Sequence, residues 1–121
     1  MTEKAFTCDT AGLAEAQAFL ESVCDSPKPA IIMDEVVSNI VRCSRASGFT
    51  VSLDDADGGL RMVFTDDGVA FDPTADVAAP DVTAGVEDRG IGGLGIFMVK
   101  KMSKTVAYER RDGKNVLTVV M

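Results

Sequence analysis

The chain has 121 residues, 46% of them hydrophobic, which is enough for one domain with a buried core and too apolar for a disordered chain. Its net charge of −7 argues against nucleic-acid binding, because a surface that binds the phosphate backbone must be basic. The chain contains no histidine, which excludes Ser-His and Cys-His catalysis and most zinc sites. Carboxylates would therefore carry any proton chemistry.

The sequence also indicates where the protein works. No apolar run approaches the roughly 18–20 residues of a membrane span, and the first residues lack the pattern of a signal peptide. The three cysteines, Cys8, Cys24 and Cys43, are odd in number, lie in apolar surroundings and lack CxxC spacing. They predict buried free thiols in a reducing compartment. We therefore expect a cytoplasmic protein without a membrane segment.

Two helices are predicted in the first part of the chain. A short strand over residues 3–8 precedes a helix over about 11–24, which Asp9 or Thr10 can cap. A segment with two prolines breaks this helix, and a second helix follows over about 30–45. Its apolar positions recur at helical spacing, so one face should be buried.

The rest of the chain reads mainly as strands. An acidic, glycine-containing stretch over residues 54–59 predicts a turn, and residues 66–91 predict a long loop that could close over a site. A third helix is predicted over about 94–102. The predicted strands span residues 49–53, 60–64, 104–109 and 115–120.

Strands and helices do not alternate strictly along this chain. That order favours an α+β fold, a two-layer sandwich in which an antiparallel or mixed sheet of about five strands carries three helices on one face. We expect residues 1–121 to form a single domain.

A first group of chemically suggestive residues lies on the second helix. Glu35 and Asn39 are four residues apart, which makes them neighbours at the margin of the apolar face. An Asn oxygen is a ligand that Mg²⁺ accepts beside phosphate oxygens and waters, and a Glu one turn away can deprotonate a hydroxyl. A solvated pair on a surface helix is the alternative.

A second group follows the strand that ends at Phe64. Asp66 can accept a hydrogen bond from an exocyclic amine such as adenine N6, while Gly68 leaves room for a flat base against the backbone. Asp67 should face solvent. An ordinary acidic turn is the alternative interpretation.

The third group is the glycine-rich stretch that runs into the last helix. Glycines allow a close approach to the backbone, and the first turn of a helix offers unpaired N–H groups that bind phosphate. The alternative is a plain turn before a helix. The residues concerned are Gly92, Gly93, Leu94 and Gly95.

These three groups, in this order, resemble the GHKL ATPase superfamily, whose members share the Bergerat ATP-binding fold. A helix with Glu-x-x-x-Asn comes first, then a strand end with Asp-x-Gly, then a long loop, and finally Gly-x-Gly opening a helix. Within the superfamily the chain resembles the small anti-sigma factor serine/threonine kinases of bacteria, and the resemblance covers nearly the whole chain. It implies a histidine-kinase-like ATPase domain that binds ATP and Mg²⁺.

The resemblance implies roles for residues near the phosphates. Asn39 would bind the Mg²⁺ that bridges the ATP phosphates, and Glu35 would be the general base. Arg42 and Arg89 would reach a phosphate, although a solvated arginine is an equal alternative for Arg42. The backbone amides of the Gly92–Gly95 turn would meet the phosphates.

The resemblance also implies roles around adenine. Asp66 would bind N6, Gly68 would lie beside the base, and Thr118 on the last strand would help hold it, a plain strand threonine being the alternative. Ala70 occupies the position where the family usually has the second glycine of Asp-x-Gly-x-Gly. An alanine fits there only if the backbone does not require a positive φ.

Three functions remain open from the sequence. The first is a Mg-ATP-dependent protein serine/threonine kinase that binds a sigma factor and phosphorylates an anti-anti-sigma protein of the STAS type. The second is a nucleotide-gated binding module without catalysis, against which the presence of Glu35 argues. The third is an acidic α+β domain without a ligand. The resemblance also implies a homodimer, and neither nucleic acid nor membrane is an expected partner.

Overall fold

The structure is a computed structural model that describes residues 2–24, 26–56, 59–70 and 99–121. Most of the predicted loop over residues 66–91 and of the predicted helix over 94–102 lies outside these ranges. Of that helix, residues 99–102 are described, and they are helical.

A five-stranded sheet forms one layer of the fold, and every strand pairs with its neighbours in the antiparallel sense. Its order is β1-β2-β3-β5-β4, so β4 and β1 are the edge strands. The predicted α+β class and the strand number are confirmed, and the sheet is antiparallel rather than mixed. The strands are β1 (Thr2–Thr7), β2 (Gly48–Ala56), β3 (Gly59–Asp66), β4 (Thr105–Arg111) and β5 (Lys114–Val120).

The β2–β3 hairpin is longer than the sequence predicted. Residues 54–59 were predicted as a turn, but β2 continues to Ala56 and β3 begins at Gly59. Asp54 lies directly opposite Arg61 in the register, and the two side chains form an ion pair of 2.7 Å. This cross-strand pair lets an acidic residue remain within the strand.

Helix α1 (Thr10–Glu21) begins directly after Asp9, one of the two residues predicted to cap it. The Asp9 carboxylate accepts a hydrogen bond of 2.8 Å from the N–H of Gly12, so Asp9 is the N-cap rather than Thr10. This bond is the largest cause of the lowered pKa of Asp9, because it favours the ionised form. The helix ends three residues before the predicted boundary.

Helix α2 (Pro27–Asn39) begins earlier than the predicted residue 30. The first helix does end before the proline segment, as predicted, but the two prolines belong to the first turn of α2, where a backbone N–H has no partner within the helix in any case. After Asn39 the α-helix gives way to a π-helical turn, Ile40–Ser44, which ends at Arg45 with a φ of 55°. The predicted helix over 30–45 therefore contains a change of helical type.

The helices cover one face of the sheet, which we call the inner face. On this face Phe49, Phe64 and Leu117 occupy successive strands and are buried. Alternation along each strand places their sequence neighbours on the opposite, outer face. Helix residues that complete the buried core are Ala16, Leu20, Ile32, Met33, Val36, Val37 and Val99.

A two-residue turn sets the register of the β4–β5 hairpin. Asp112 and Gly113 both have positive φ, 53° and 75°, as a primed hairpin turn requires. The turn places Arg110 opposite Asn115 and Tyr108 opposite Leu117. All of these residues lie on the inner face, because Leu117 does.

Gly12 provides a test of how α1 packs on β1. A Cβ atom at this position would lie 1.7 Å from the carbonyl oxygen of Thr7 and 2.8 Å from its carbon. Alanine favours helices, but here the backbone must move to make room for its Cβ atom. We therefore expect Gly12→Ala to lower the free energy of unfolding by about 1–3 kcal/mol or more. Denaturant unfolding followed by circular dichroism measures this.

Gly113→Ala is the comparison variant for that experiment. Its added Cβ meets no atom within 4 Å, so only the positive φ of 75° opposes it. Gly113→Ala should lower the free energy of unfolding by about 1–2 kcal/mol. A Gly12→Ala protein as stable as the wild type would contradict the close approach of α1 to β1.

Candidate nucleotide-binding site

The candidate site comprises the end of α2 and the inner-face ends of β3 and β5. Cys8, directly after β1, holds the end of α2, because its thiol donates to the carbonyl of Ile40 at 3.9 Å, next to Asn39. Burial raises the pKa of the Cys8 thiol, and the negative charge of Asp66 raises it further. Asp66 lies on the inner face, opposite Phe49, and the helices cover that face, so Asp66 and the end of α2 are on the same side of the sheet.

Asn39 is the buried polar residue of the helical part of the site. It is 2% exposed, and its Oδ1 accepts a hydrogen bond of 3.1 Å from the guanidinium of Arg42. Its amide nitrogen, Nδ2, is buried without a hydrogen-bond partner among the described residues. Glu35 lies one turn earlier and is half-buried. Helical spacing thus places Glu35 one turn before Asn39, and the hydrogen bond places Arg42 beside Asn39.

The unpaired amide of Asn39 indicates that a phosphate or a metal-bound water fits at the end of α2. A buried donor without an acceptor costs about 1–3 kcal/mol, and a phosphate oxygen or a metal-bound water would satisfy it. The part of the chain that the structure describes holds no group of three or more acidic, Cys or His side chains able to bind a metal. A single Asn oxygen fits an ion whose other ligands are phosphates and waters, which is how Mg²⁺ usually binds.

Asp66 is the buried carboxylate of the sheet part of the site. It is 5% exposed, and its Oδ1 accepts hydrogen bonds from the N–H of Gly68 at 2.9 Å and from Nδ2 of Asn115 at 3.0 Å. Both bonds reach the same oxygen. Within the described residues Oδ2 receives none, so this second oxygen can accept a hydrogen bond from a ligand.

The loop after Asp66 is tightly held as far as Val69. Gly68 is buried, its carbonyl accepts from Arg110 at 2.9 Å, and the carbonyl of Val69 accepts from Asn115 at 2.7 Å. Ala70 is exposed, and its φ is not positive, because Arg45 and Asp112 are the non-glycine residues with positive φ in the described ranges. Its backbone therefore accepts an alanine without strain.

Asp67, the neighbouring carboxylate, has a different role. It is exposed, as predicted, but it accepts hydrogen bonds from the hydroxyl of Ser47 and from the N–H groups of Ser47 and Gly48. The bond from the Ser47 hydroxyl is the largest cause of the lowered pKa of Asp67. Asp67 thus fastens the start of β2 rather than pointing at a ligand.

The structure does not bring Thr118 to Asp66. Thr118 lies opposite Val63, between the buried residues Leu117 and Val119, and so it faces the outer side of the sheet. The remaining predicted phosphate-binding residues lie outside the described residues; they are Arg89, Gly92, Gly93, Leu94 and Gly95.

Sequence analysis missed Asn115, which takes the position beside Asp66. The two residues face each other in the β3–β5 register, and Asn115 is 4% exposed. Asparagine is uncommon within strands, and here it lies two residues after Gly113, at the start of a strand that is otherwise mainly apolar. That exception to the pattern was a usable signal.

An open groove of about 250 Å³ lies at the same end of the sheet and borders the candidate site at Asp66. Its lining includes Phe49 of the inner face and Thr50 and Thr65 of the outer face. Asn39 and Asn115 are not in its lining, so the groove reaches only the Asp66 end of the site.

Two known proteins are similar to this chain, one in sequence and one in fold. Serine/threonine-protein kinase BtrW of Bordetella bronchiseptica is 29% identical over 90 residues, which cover 71% of this chain and 63% of that kinase, less than two thirds of its length. The fold is similar to that of the histidine kinase AdeS of Acinetobacter baumannii, with a TM-score of 0.59 and 17% identity over 98% of this chain and 66% of that one.

A match to a whole-domain family profile extends further. Residues 6–121 match the profile of the histidine kinase-like ATPase domain, so the match includes every strand except the start of β1. The chain therefore belongs to the histidine kinase-like ATPase domain family.

Proposed function

We propose that the protein binds Mg-ATP at the candidate site and transfers the terminal phosphoryl group to a serine or threonine of a partner protein. The observation that carries the proposal is that two buried polar groups each have an unused hydrogen-bonding position. Among the described residues, Asp66 has one oxygen without a hydrogen bond, and Asn39 has an amide nitrogen without a partner. A ligand with an amine at one end and phosphates at the other satisfies both.

Different residues of the site bind the base and the phosphates of the nucleotide. Asp66 accepts a hydrogen bond from the adenine amine, and Gly68 lies beside the base. Asn39 and Arg42 face the phosphates, and bound Mg²⁺ would neutralise charge that builds up on them. Glu35 accepts the proton of the substrate hydroxyl as its oxygen attacks phosphorus and ADP leaves.

We propose that the protein acts in the cytoplasm as an anti-sigma factor. In this role it forms a homodimer, binds a sigma factor and phosphorylates an anti-anti-sigma protein of the STAS type. Support comes from the sequence resemblance and from the similarity to a kinase named for serine and threonine. Among the described residues no helix has the length and apolar character to cross a bilayer.

A binding module without catalysis is the second candidate. The hydrogen bond from Arg42 to Oδ1 of Asn39 favours it, because that oxygen is the atom that Mg²⁺ would need. In this alternative, nucleotide binding controls the capture of a partner and no phosphoryl group moves.

Nucleotide should stabilise the protein against heat, because a ligand that binds only the native state stabilises it by mass action. We expect ATP and ADP to raise the melting temperature, ATP more strongly with Mg²⁺, and GTP to raise it less. Thermal shift with and without Mg²⁺ measures this. The absence of any shift with millimolar adenine nucleotide would overturn the proposal.

Asp66→Asn should weaken adenine nucleotide binding far more than Asp67→Asn. The first variant replaces an acceptor oxygen in a buried site, and the loss of such a charged hydrogen bond costs about 1.5–3 kcal/mol, or roughly ten- to a hundredfold in affinity. The second variant loosens the bonds to Ser47 and should lower stability instead. Calorimetric titration with ADP compares them, and equal affinities would show that Asp66 is not the base-binding carboxylate.

Glu35→Gln should separate binding from chemistry. Glutamine retains the shape of the side chain but cannot accept the proton, so ATP affinity should stay within a few fold while phosphoryl transfer falls by about 10²–10⁴. Asn39→Ala should lose both. Transfer of labelled phosphate to a candidate antagonist protein measures the rate. If Glu35→Gln transfers phosphate at the wild-type rate, Glu35 is not the general base. If the wild-type protein binds Mg-ATP tightly but transfers no phosphate, the binding module is favoured.

A further inference from the structure

Three side chains of the β4–β5 hairpin converge on the loop that follows β3. Tyr108, Arg110 and Asn115, which we call the Asn115 network, are joined by hydrogen bonds to one another and to this loop. Their strands bring them together on the inner face, since Arg110, Asn115 and Asp66 occupy one row of the sheet.

The amide of Asn115 can adopt only one orientation in these surroundings. Its Nδ2 donates to Oδ1 of Asp66 at 3.0 Å and to the carbonyl of Val69 at 2.7 Å. Its Oδ1 accepts from the hydroxyl of Tyr108 and from Arg110 at 3.1 Å. A reversed amide would set its donors against the Arg110 guanidinium and its acceptor against two oxygens.

Arg110 completes the attachment of the loop. The same guanidinium nitrogen that donates to Asn115 also donates to the carbonyl of Gly68 at 2.9 Å. The loop residues Asp66, Gly68 and Val69 are thus each bonded to the β4–β5 hairpin. Their positions depend on an edge hairpin that is far from Asp66 in sequence.

We propose that Tyr108, Arg110 and Asn115 are positioning residues for recognition of the nucleotide base. Asn115 occupies Oδ1 of Asp66, Tyr108 and Arg110 hold Asn115, and Arg110 also fixes the loop, so that Oδ2 is the acceptor that faces the ligand. This inference rests on the proposed role of Asp66 in binding the adenine amine. A carboxylate held in this way accepts from adenine N6 but opposes the O6 oxygen of guanine, so the network supports selectivity for adenine as well as affinity.

Three variants test the network by removing increasing numbers of its hydrogen bonds. Tyr108→Phe removes one hydroxyl, Arg110→Met removes the bond to Gly68, and Asn115→Leu removes every bond of the amide. We expect ADP affinity to fall about threefold to tenfold in the first two and roughly ten- to a hundredfold in the third. Arg110→Lys should restore part of the loss. Thr65→Val, next to Asp66 but on the outer face, is the matched control and should bind ADP like the wild type.

Two comparisons distinguish positioning from a general structural role. Purine riboside diphosphate lacks the 6-amino group, so the network variants should bind it as the wild type does while binding ADP more weakly. In an Asp66→Asn background, Arg110→Met should have no further effect on ADP affinity. A variant that weakens both ligands equally, or that is additive with Asp66→Asn, would overturn the inference.

The remaining outcomes are also decisive. Asn115 is buried, and if Asn115→Leu fails to fold, Tyr108→Phe and Arg110→Met carry the test because both residues are at least partly exposed. Variants that bind ADP like the wild type would overturn the inference and leave the proposed function standing. A wild-type protein that binds no adenine nucleotide would overturn both.

Discussion

The hydrogen bond between Asp66 and Asn115 is the interaction on which the site depends. A carboxylate on the buried face of a sheet is costly unless its oxygens are hydrogen-bonded. Asn115 meets this need because the β3–β5 register sets the two residues opposite each other. A shift of one residue would move Asn115 to the outer face and leave Asp66 without this partner. The register that builds the core therefore also builds the site.

The second constraint comes from the end of α2. Asn39 is the last α-helical residue, and the π-helical turn that follows carries Arg42 and the carbonyl that accepts from Cys8. Short π-helical turns within helices often occur at functional sites. The unpaired amide of Asn39 is an exception to the rule that buried polar groups are hydrogen-bonded, and such exceptions call for a ligand or water.

These two constraints explain how a chain of net charge −7 can offer a site to a polyphosphate. In the proposed complex Asp66 would accept a hydrogen bond from the base, whereas the phosphates would meet the amide of Asn39, the guanidinium of Arg42 and a bound cation. The carboxylate of Asp67, the sequence neighbour of Asp66, is instead held at the start of β2 by its bonds to Ser47 and Gly48. Local donors therefore matter more than net charge for a small anionic ligand.

The sequence by itself determined the fold class, the helix that pairs Glu35 with Asn39, and the strand end at Asp66, because these features follow from periodicity, caps and turns among residues close in the chain. It did not predict the π-helical turn, the start of α2 at Pro27 or the continuation of β2 to Ala56, which local patterns left ambiguous. The choice of Asn115 over Thr118 as the neighbour of Asp66 was decided by the tertiary structure alone. That choice depends on which strands pair and in which register, and a shift of a single residue reverses the face that a side chain occupies.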